Sequence, residues 1–366
     1  MPERFKKLLV PVLAVLAGFL LGAVILLATG KSPLGMFAAM VQGVSGWNIA
    51  EHTFNSRYLG EFIAQTLPII LTGLSVGFAF RTGLFNIGAE GQLMAGSMAA
   101  TAGALLVPAP PVIHVLLVLL AAMAAGALWG ALPGWLKARF NVHEVVVSIM
   151  LNYTALYLNN WAVVHPFNSP DRVRTATFPA SALLKDAHLS ALTHGSRLNW
   201  GFVPVLLALL VYWFVIERTS FGFSLRATGF NPDGARYAGM PVRRNIVTSM
   251  ALSGAFAGLA GAVITVGIFS FGRALPAAEG YGFDGIAVAL VGGSTALGIW
   301  LAGLLFGMLK AAQLLMQTQG IPKEIASIIQ GAILLFVAMK YAIDYLGRRA
   351  ARAKSPAGER AKTEDR

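Results

Sequence analysis

The chain has 366 residues, of which 56% are hydrophobic and only 12% charged, with a mean hydropathy of +0.68. A soluble domain carries roughly 25% charged residues, so this composition excludes an ordinary water-soluble fold and calls for a lipid solvent. The net charge of +12 lies in short loops and at both ends, beside apolar runs and without interleaved aromatic platforms. That pattern marks membrane orientation and not nucleic-acid binding, while the absence of Cys removes disulfides, thiolate nucleophiles and Cys-ligated metals.

Apolar runs long enough to cross a bilayer, about 20 residues at 1.5 Å rise, recur along the chain. In order they fall at 8–29, 61–80, 86–106, 112–136, 144–164, 201–216, 245–270, 284–298, 299–318 and 324–346. The sequence therefore predicts an all-α polytopic membrane protein of about ten transmembrane helices. Its continuous Gly- and Ala-rich runs suit packed helices and not alternating barrel strands. The first run follows Arg4, Lys6 and Lys7 as a signal peptide would, yet it exceeds the usual apolar core and no convincing A-x-A site follows, so it is expected to remain as the first span. The divisions expected are 1–60, a first helix with an outer loop; 61–346, the membrane domain; and 347–366, a disordered charged tail.

Orientation follows from the basic residues. With the N-terminus inside, the inner segments hold Arg81, Lys137, Arg139, Arg218, Arg226, Arg236, Arg243 and Arg244 together with both basic ends, while outer loops 30–60 and 165–200 hold far fewer. Both termini are expected in the cytoplasm. Glycines at four-residue spacing, Gly73/Gly77, Gly126/Gly130/Gly134, Gly254/Gly258 and Gly303/Gly307, predict close helix crossings.

Polar stretches interrupt this background. In RTGLFNIGAEGQ, 81–92, Gly83, Gly88 and Gly91 permit a broken helix, and Asn86, Glu90 and Gln92 enter the next span. Two readings stand: a capped interhelical turn with Glu90 paired to another helix, or a lining of the permeation path. Asn152 and Tyr153 fall within the next-but-one span and divide in the same way between bundle hydrogen bonding and solute contact. Asp284 opens a span, where a carboxylate favours the positive helix end, and Lys310 falls mid-span and needs a carboxylate partner or a watery cavity. Asn86, Glu90, Gln92, Asn152, Tyr153 and Asp284 are the candidate pathway residues. No catalytic or metal-binding constellation is expected: H-E-x-x-H and G-x-S-x-G are missing, and Gly292-Gly293-Ser294-Thr295 lacks the Lys of a phosphate loop.

The long segment 217–244 contains a short helix isolated between spans. Asn231 can cap it, Pro232 suits its first position, Asp233 complements its dipole, and Gly239 with Pro241 stops it. So short a rod is marginal alone and is expected to dock on headgroups or on a partner protein. Tyr237 and Met240 offer it an apolar face, and Ala235 with Gly239, four apart, a small one.

The ordered set RTGLFNIGAEGQ, HEVVVSIMLNYTALYL, LRATGFNPDGARYAGMPV and YGFDGIAVAL resembles the permeases of bacterial nucleoside ABC importers, within the branched-chain amino acid and ribose permease superfamily. The resemblance runs from about 60 to 340. It implies two inverted sets of spans, near 61–164 and 245–346, in the bacterial cytoplasmic (inner) membrane. It implies that 217–244 is a coupling loop, with Arg226, Asn231, Pro232, Asp233, Ala235, Gly239 and Met240 meeting the ATPase and 232–239 seated in its groove. ATP is then bound by that partner subunit and no cofactor by this chain. A second related permease would complete the pair, a solute-binding lipoprotein or periplasmic protein would meet the outer loops, and the small-molecule solute would be a nucleoside or related ribosyl or purine compound. Simple-sugar ABC permeases share these motifs, and an ion-coupled secondary transporter is the alternative from another class.

Overall fold

The structure is a computed structural model that describes residues 3–167 and 171–354, with side-chain surroundings over 11–167 and 171–339. Its elements are almost all helical. They are α1 (Glu3–Ala28), α2 (Pro33–Ser45), α3 (Ser56–Arg81), α4 (Ala89–Leu106), α5 (Pro111–Phe140), α6 (Glu144–Val164), α7 (Ala187–Leu192), α8 (Phe202–Arg218), α9 (Ser220–Phe230), α10 (Pro232–Tyr237), α11 (Val242–Ala262), α12 (Tyr281–Val291), α13 (Ala296–Thr318) and α14 (Glu324–Lys354). α11 runs on as a π-helix over Val263–Phe269, and two-residue strands Trp47–Asn48 and Thr53–Phe54 pair antiparallel between α2 and α3.

The fold is that of an all-α membrane protein. Among the described residues five helical segments are long and apolar enough to cross a bilayer: Pro11–Ala28, Ser56–Arg81, Pro111–Phe140, Val242–Phe269 and Ala296–Thr318. The pair α8 and α9, bent by 72° at Thr219, makes a sixth if read together. α4 and α6 have the length, at 18 and 21 residues, but are diluted by Glu90, Gln92, Asn152, Asn159 and Asn160. The expected spans at 284–298 and 299–318 divide elsewhere. α12 stops at Val291, because Gly293 and Ser294 take positive φ of 57° and 51° in a turn, and α13 starts at Ala296 under a Thr295 cap. At 11 residues α12 is ~16 Å long, half a hydrocarbon core. The outer loop expected over 30–60 contains α2, which Ser32-Pro33 starts and Gly46 ends in the left-handed region at φ 77°. The tail expected to be disordered from 347 continues α14 to Lys354, and 355–366 lies outside the described residues.

α3 and α11 are the axis of the bundle, each buried over most of its length inside the protein, whereas α1 and α5 turn most of their described residues outward. Glycines determine how the others approach. A Cβ on Gly126 would lie 2.7 Å from the Gly258 Cα, one on Gly130 would lie 3.1 Å from the Gly254 Cα, and one on Gly134 would lie 2.9 Å from the Met250 Cβ, so α5 crosses α11 backbone to backbone. Gly96 of α4 packs on the same Gly258. On the other side Gly73 and Gly77 of α3 receive Val288 and Ile299, while Gly303 and Gly307 of α13 receive Ile70 and Thr66. Every glycine pair singled out by spacing lies at such a crossing, the arrangement that lets helices gain dispersion contact where lipid offers no hydrophobic driving force.

Candidate functional site

The helix break after α3 explains the polar stretch. Residues 82–88 leave the helical path, with Gly83 at φ 72° against the backbone of Gly229. Their freed groups find partners within the protein. Asn86 Nδ2 donates to Gln92 Oε1 at 2.8 Å and to Ser253 Oγ of α11 at 2.7 Å, and Gln92 Nε2 donates back to Asn86 Oδ1 at 3.1 Å. Asn86 Oδ1 also accepts from Gly88 N at 3.0 Å. Asn152 of α6 holds the opposite side: its Oδ1 accepts from Gly91 N at 2.8 Å and its Nδ2 donates to Ile87 O at 3.0 Å. Asn86, Glu90 and Gln92 are buried. Backbone freed within a membrane is tolerated only where such partners exist.

Glu90 reaches the other half of the protein. Its carboxyl oxygens accept from Gly280 N at 2.9 Å and Gly282 N at 2.5 Å, two of the unpaired amides at the start of α12. The first turn of α12 carries Asp284, whose Oδ2 lies 3.6 Å from Lys310 Nζ of α13, and that ammonium sits 4.6 Å from the centre of the Tyr281 ring. Lys310 thus has both a carboxylate partner and an aromatic face. Of the candidate pathway residues, Asn86, Glu90, Gln92 and Asn152 gather around the break, Asp284 lies one helix away, and Tyr153 points outward, 59% exposed.

On the face that carries the connection between α6 and α8, residues that the sequence did not mark surround two adjoining spaces. A chamber of about 710 Å³ is lined by Asp171, Val173, Arg174, Phe271 and residues 273–279. It shares Arg273, Leu275 and Glu279 with a constriction of about 20 Å³ whose other walls include Ser97, Thr101, Asn159 and Thr265. Arg273 Nη1 and Nη2 donate to Glu279 Oε1 and Oε2 at 2.9 and 2.7 Å, and the guanidinium lies 3.5 Å from the centre of the Phe269 ring. The signal for these residues was an Arg and a Glu six apart in a loop between two apolar segments, which orientation counting treats as ordinary surface charge.

At the opposite end the chain turns from α8 into α9 beneath a Thr219 cap, where Gly222 N donates to Thr219 Oγ1 at 3.0 Å. Glu217 joins Arg81 at the end of α3 to Arg226 of α9, the second pair at 3.0 Å. Asn245 Nδ2 of α11 donates to Ser224 Oγ and Thr228 Oγ1, both at 2.8 Å, which fixes α9 against the bundle. α10 has the expected start: Gly234 N donates to Asn231 Oδ1 at 2.9 Å, Pro232 opens the helix, and Asp233 Oδ1 is 3.3 Å from Arg236 Nη1. It also stops at the expected signal, although Gly239 lies outside the helix and not on its face. The helix stops at Tyr237, and Gly239 sits beyond it at φ 78°, so Gly239 and Ala235 share no helix face. Ala235 turns inward at 4% exposed, Met240 is half-buried with its N–H on Ala235 O at 2.9 Å, and Phe230 and Tyr237 project at 94% and 95% exposed.

Residues 58–338 match the family described as branched-chain amino acid transport system / permease component. The chain belongs to this family. It is 46% identical over 347 residues to the guanosine ABC transporter permease protein NupP of Bacillus subtilis, covering 94% of this chain and 97% of that one. It is 36% identical to the nucleoside ABC transporter permease protein NupB of Lactococcus lactis, covering 94% of each. The glucose ABC transporter permease protein TsgB13 of Haloferax volcanii is 34% identical, covering 89% of this chain and 86% of that one. NupQ of the first organism and NupC of the second, also named as permeases for guanosine and nucleosides, are each 25% identical to this chain.

Proposed function

We propose that this chain is the permease subunit of an ATP-driven importer for nucleosides, working with a second, related permease in the bacterial inner membrane. The observation that carries the reading is near-full-length similarity, 46% and 36% identical, to two permeases named for guanosine and nucleosides. The weaker likeness to NupQ and NupC, one from each of the same two organisms, supports a pair of unlike permeases. ATP binds a separate ATPase, which meets Phe230, Asn231 and Tyr237 around α10, and a solute-binding lipoprotein or periplasmic protein meets the opposite face.

Ten segments cross or enter the bilayer in this reading: α1, α3, α4, α5, α6, α8, α11, α12, α13 and α14, with both termini cytoplasmic. Two inverted halves are supported by the order of parts. α3 is followed by a break, then α4, α5 and α6; α11 is followed by a break, then α12, α13 and α14. The string Ala-Glu-Gly recurs where each break ends, at 89–91 and 278–280. Coupling runs from α10 through α9 to Asn245 of α11 and to Gly229, which abuts the break at Gly83. Asn86, Glu90, Gln92 and Asn152 hold that break in one arrangement, and Asp284 with Lys310 holds α12 to α13.

The test is uptake by the reconstituted complex of both permeases, ATPase and binding protein, with nucleosides, free purines, pentoses and glucose supplied in turn. ATP-dependent uptake of nucleosides is expected. Uptake of glucose alone would move the chain to the sugar branch that TsgB13 represents, and accumulation on an ion gradient without ATP would make it a secondary transporter.

A further inference from the structure

Glu90 and Glu279 occupy the same place in the two recurring Ala-Glu-Gly strings, yet they do different things. Glu90 is fully buried and accepts from the backbone of the opposite half. The start of α4 needs nothing similar from Glu279, because Asn86 and Asn152 already accept from Gly88 N and Gly91 N. Glu279 turns instead into the neck between chamber and constriction, where its side chain is 25% exposed and forms two hydrogen bonds with Arg273.

The surrounding loop is pinned by its backbone and not by these two side chains. Asn159 Nδ2 donates to Arg273 O at 2.9 Å, Asn160 exchanges hydrogen bonds with Leu275 N and O at 2.8 and 2.7 Å, and Gly272 N donates to Thr175 Oγ1 at 2.9 Å. The pair can therefore swing without unravelling the loop. A solute passing inward from the chamber would have to displace the pair, because the chamber has room for a drug-sized molecule whereas about 20 Å³ holds one water at most.

We propose that Arg273 and Glu279 form a solute-operated gate, which opens by exchanging its own hydrogen bonds for those of a neutral solute carrying vicinal hydroxyls beside a planar ring, the chemistry of a nucleoside. The assignment rests on the nucleoside reading above. A carboxylate only accepts and a guanidinium only donates, while each hydroxyl does both, so a diol satisfies the two separated partners at once. The charges of Arg273 and Glu279 cancel, and Ser97, Thr101, Asn159 and Thr265 below them are neutral, which fits an uncharged solute. Phe271 in the chamber wall supplies an apolar face for the ring.

The chain has no cysteine, so Ser97→Cys places one thiol beneath the gate. In the full complex in proteoliposomes, its rate of reaction with a membrane-impermeant thiol reagent added outside reports the opening. Glu279→Gln and Arg273→Gln are expected to raise that rate about tenfold, the factor that ~1.4 kcal/mol of pairing represents. The exchange R273E/E279R should restore it. Guanosine should raise the rate in the Ser97→Cys background alone, and glucose should not. Thermal unfolding of each variant, read alongside, separates gate opening from loss of fold. An unchanged rate in E279Q and R273Q, or a response to glucose in place of guanosine, overturns the proposal. Guanosine uptake by the unsubstituted complex is measured in parallel: its absence defeats the nucleoside reading, whereas normal uptake with an indifferent gate defeats only the gate.

Discussion

Removing the Glu90 side chain should loosen the two halves of the bundle from each other. In Glu90→Ala the amides of Gly280 and Gly282 lose acceptors at 2.9 and 2.5 Å in a place that no water reaches, since Glu90 is wholly buried. Each orphaned donor costs about 1–3 kcal/mol, so the pair amounts to about 2–6 kcal/mol before any cavity term. Glu90→Gln retains one acceptor and turns an NH₂ toward the other amide, so it should lose about half as much. Thermal unfolding of the purified permease in detergent reads the difference. At roughly 2 °C per kcal/mol for a large chain, Glu90→Ala should melt on the order of 5–10 °C below the unsubstituted protein, with Glu90→Gln between them. Nucleoside uptake by the complex should fall in the same order. If Glu90→Ala melts within about 1 °C of the unsubstituted protein while uptake is abolished, Glu90 is a pathway residue and the clamp is wrong.

Gly258 is approached by both Gly96 and Gly126, so Gly258→Val should prevent α5 from seating on α11 and sharply lower the yield of folded protein, read by size-exclusion chromatography in detergent. Phe230→Ala with Tyr237→Ala removes two side chains that touch little of their own chain, so unfolding should be unchanged while ATPase co-purification drops at least about tenfold, as loss of exposed aromatic anchors predicts. By contrast, Ala235→Trp should disturb α9 and α10 themselves, since Ala235 is buried, and circular dichroism with proteolysis of the loop should report it. Asp186 accepts from Trp200 Nε1 at 2.9 Å and His188 N at 2.8 Å; the indole, then the amide, hold its carboxyl below the ordinary value of 3.8. A depressed folded value means that its contribution is present above about pH 4 and lost as pH falls through that lowered value. Acid titration of tryptophan emission should therefore show a step below pH 4 that Asp186→Asn lacks.

Helix existence and crossings were legible because lipid imposes long apolar runs, and close crossings there require small residues at four-residue spacing. Gly126, Gly130, Gly134, Gly254 and Gly258 could be named from spacing alone and lie where two backbones meet. The start of α10 was legible for a different reason, since Asn231-Pro232-Asp233 is local chemistry that needs no tertiary partner. So was its stop, since Gly239 sits just past the Ala238 cap at φ 78°, where a glycine ends a helix, but that same position puts Gly239 off the rod and removes the small face expected with Ala235. The roles of Asn86, Gln92 and Asn152 stayed open because an amide inside a span needs a partner whichever way it faces, and that partner, Ser253 or Ile87, lies on another segment. Arg273 and Glu279 were passed over because sequence counts a loop charge without saying that the loop folds back against α6 and the π-helical end of α11.

The bend at Thr219 makes α9 a crank arm. Its 11 residues extend ~16 Å from the pivot, with α10 at the free end, so a push of ~3 Å there is a rotation of ~10° at the pivot. That rotation is not free to dissipate, because Asn245 grips the arm partway along through Ser224 and Thr228. Glu217 and Arg226 hold the pivot to the foot of α3. A torque delivered at the tip would thus leave the arm as a sideways thrust on α11 and α3, the two long helices most deeply buried in the bundle.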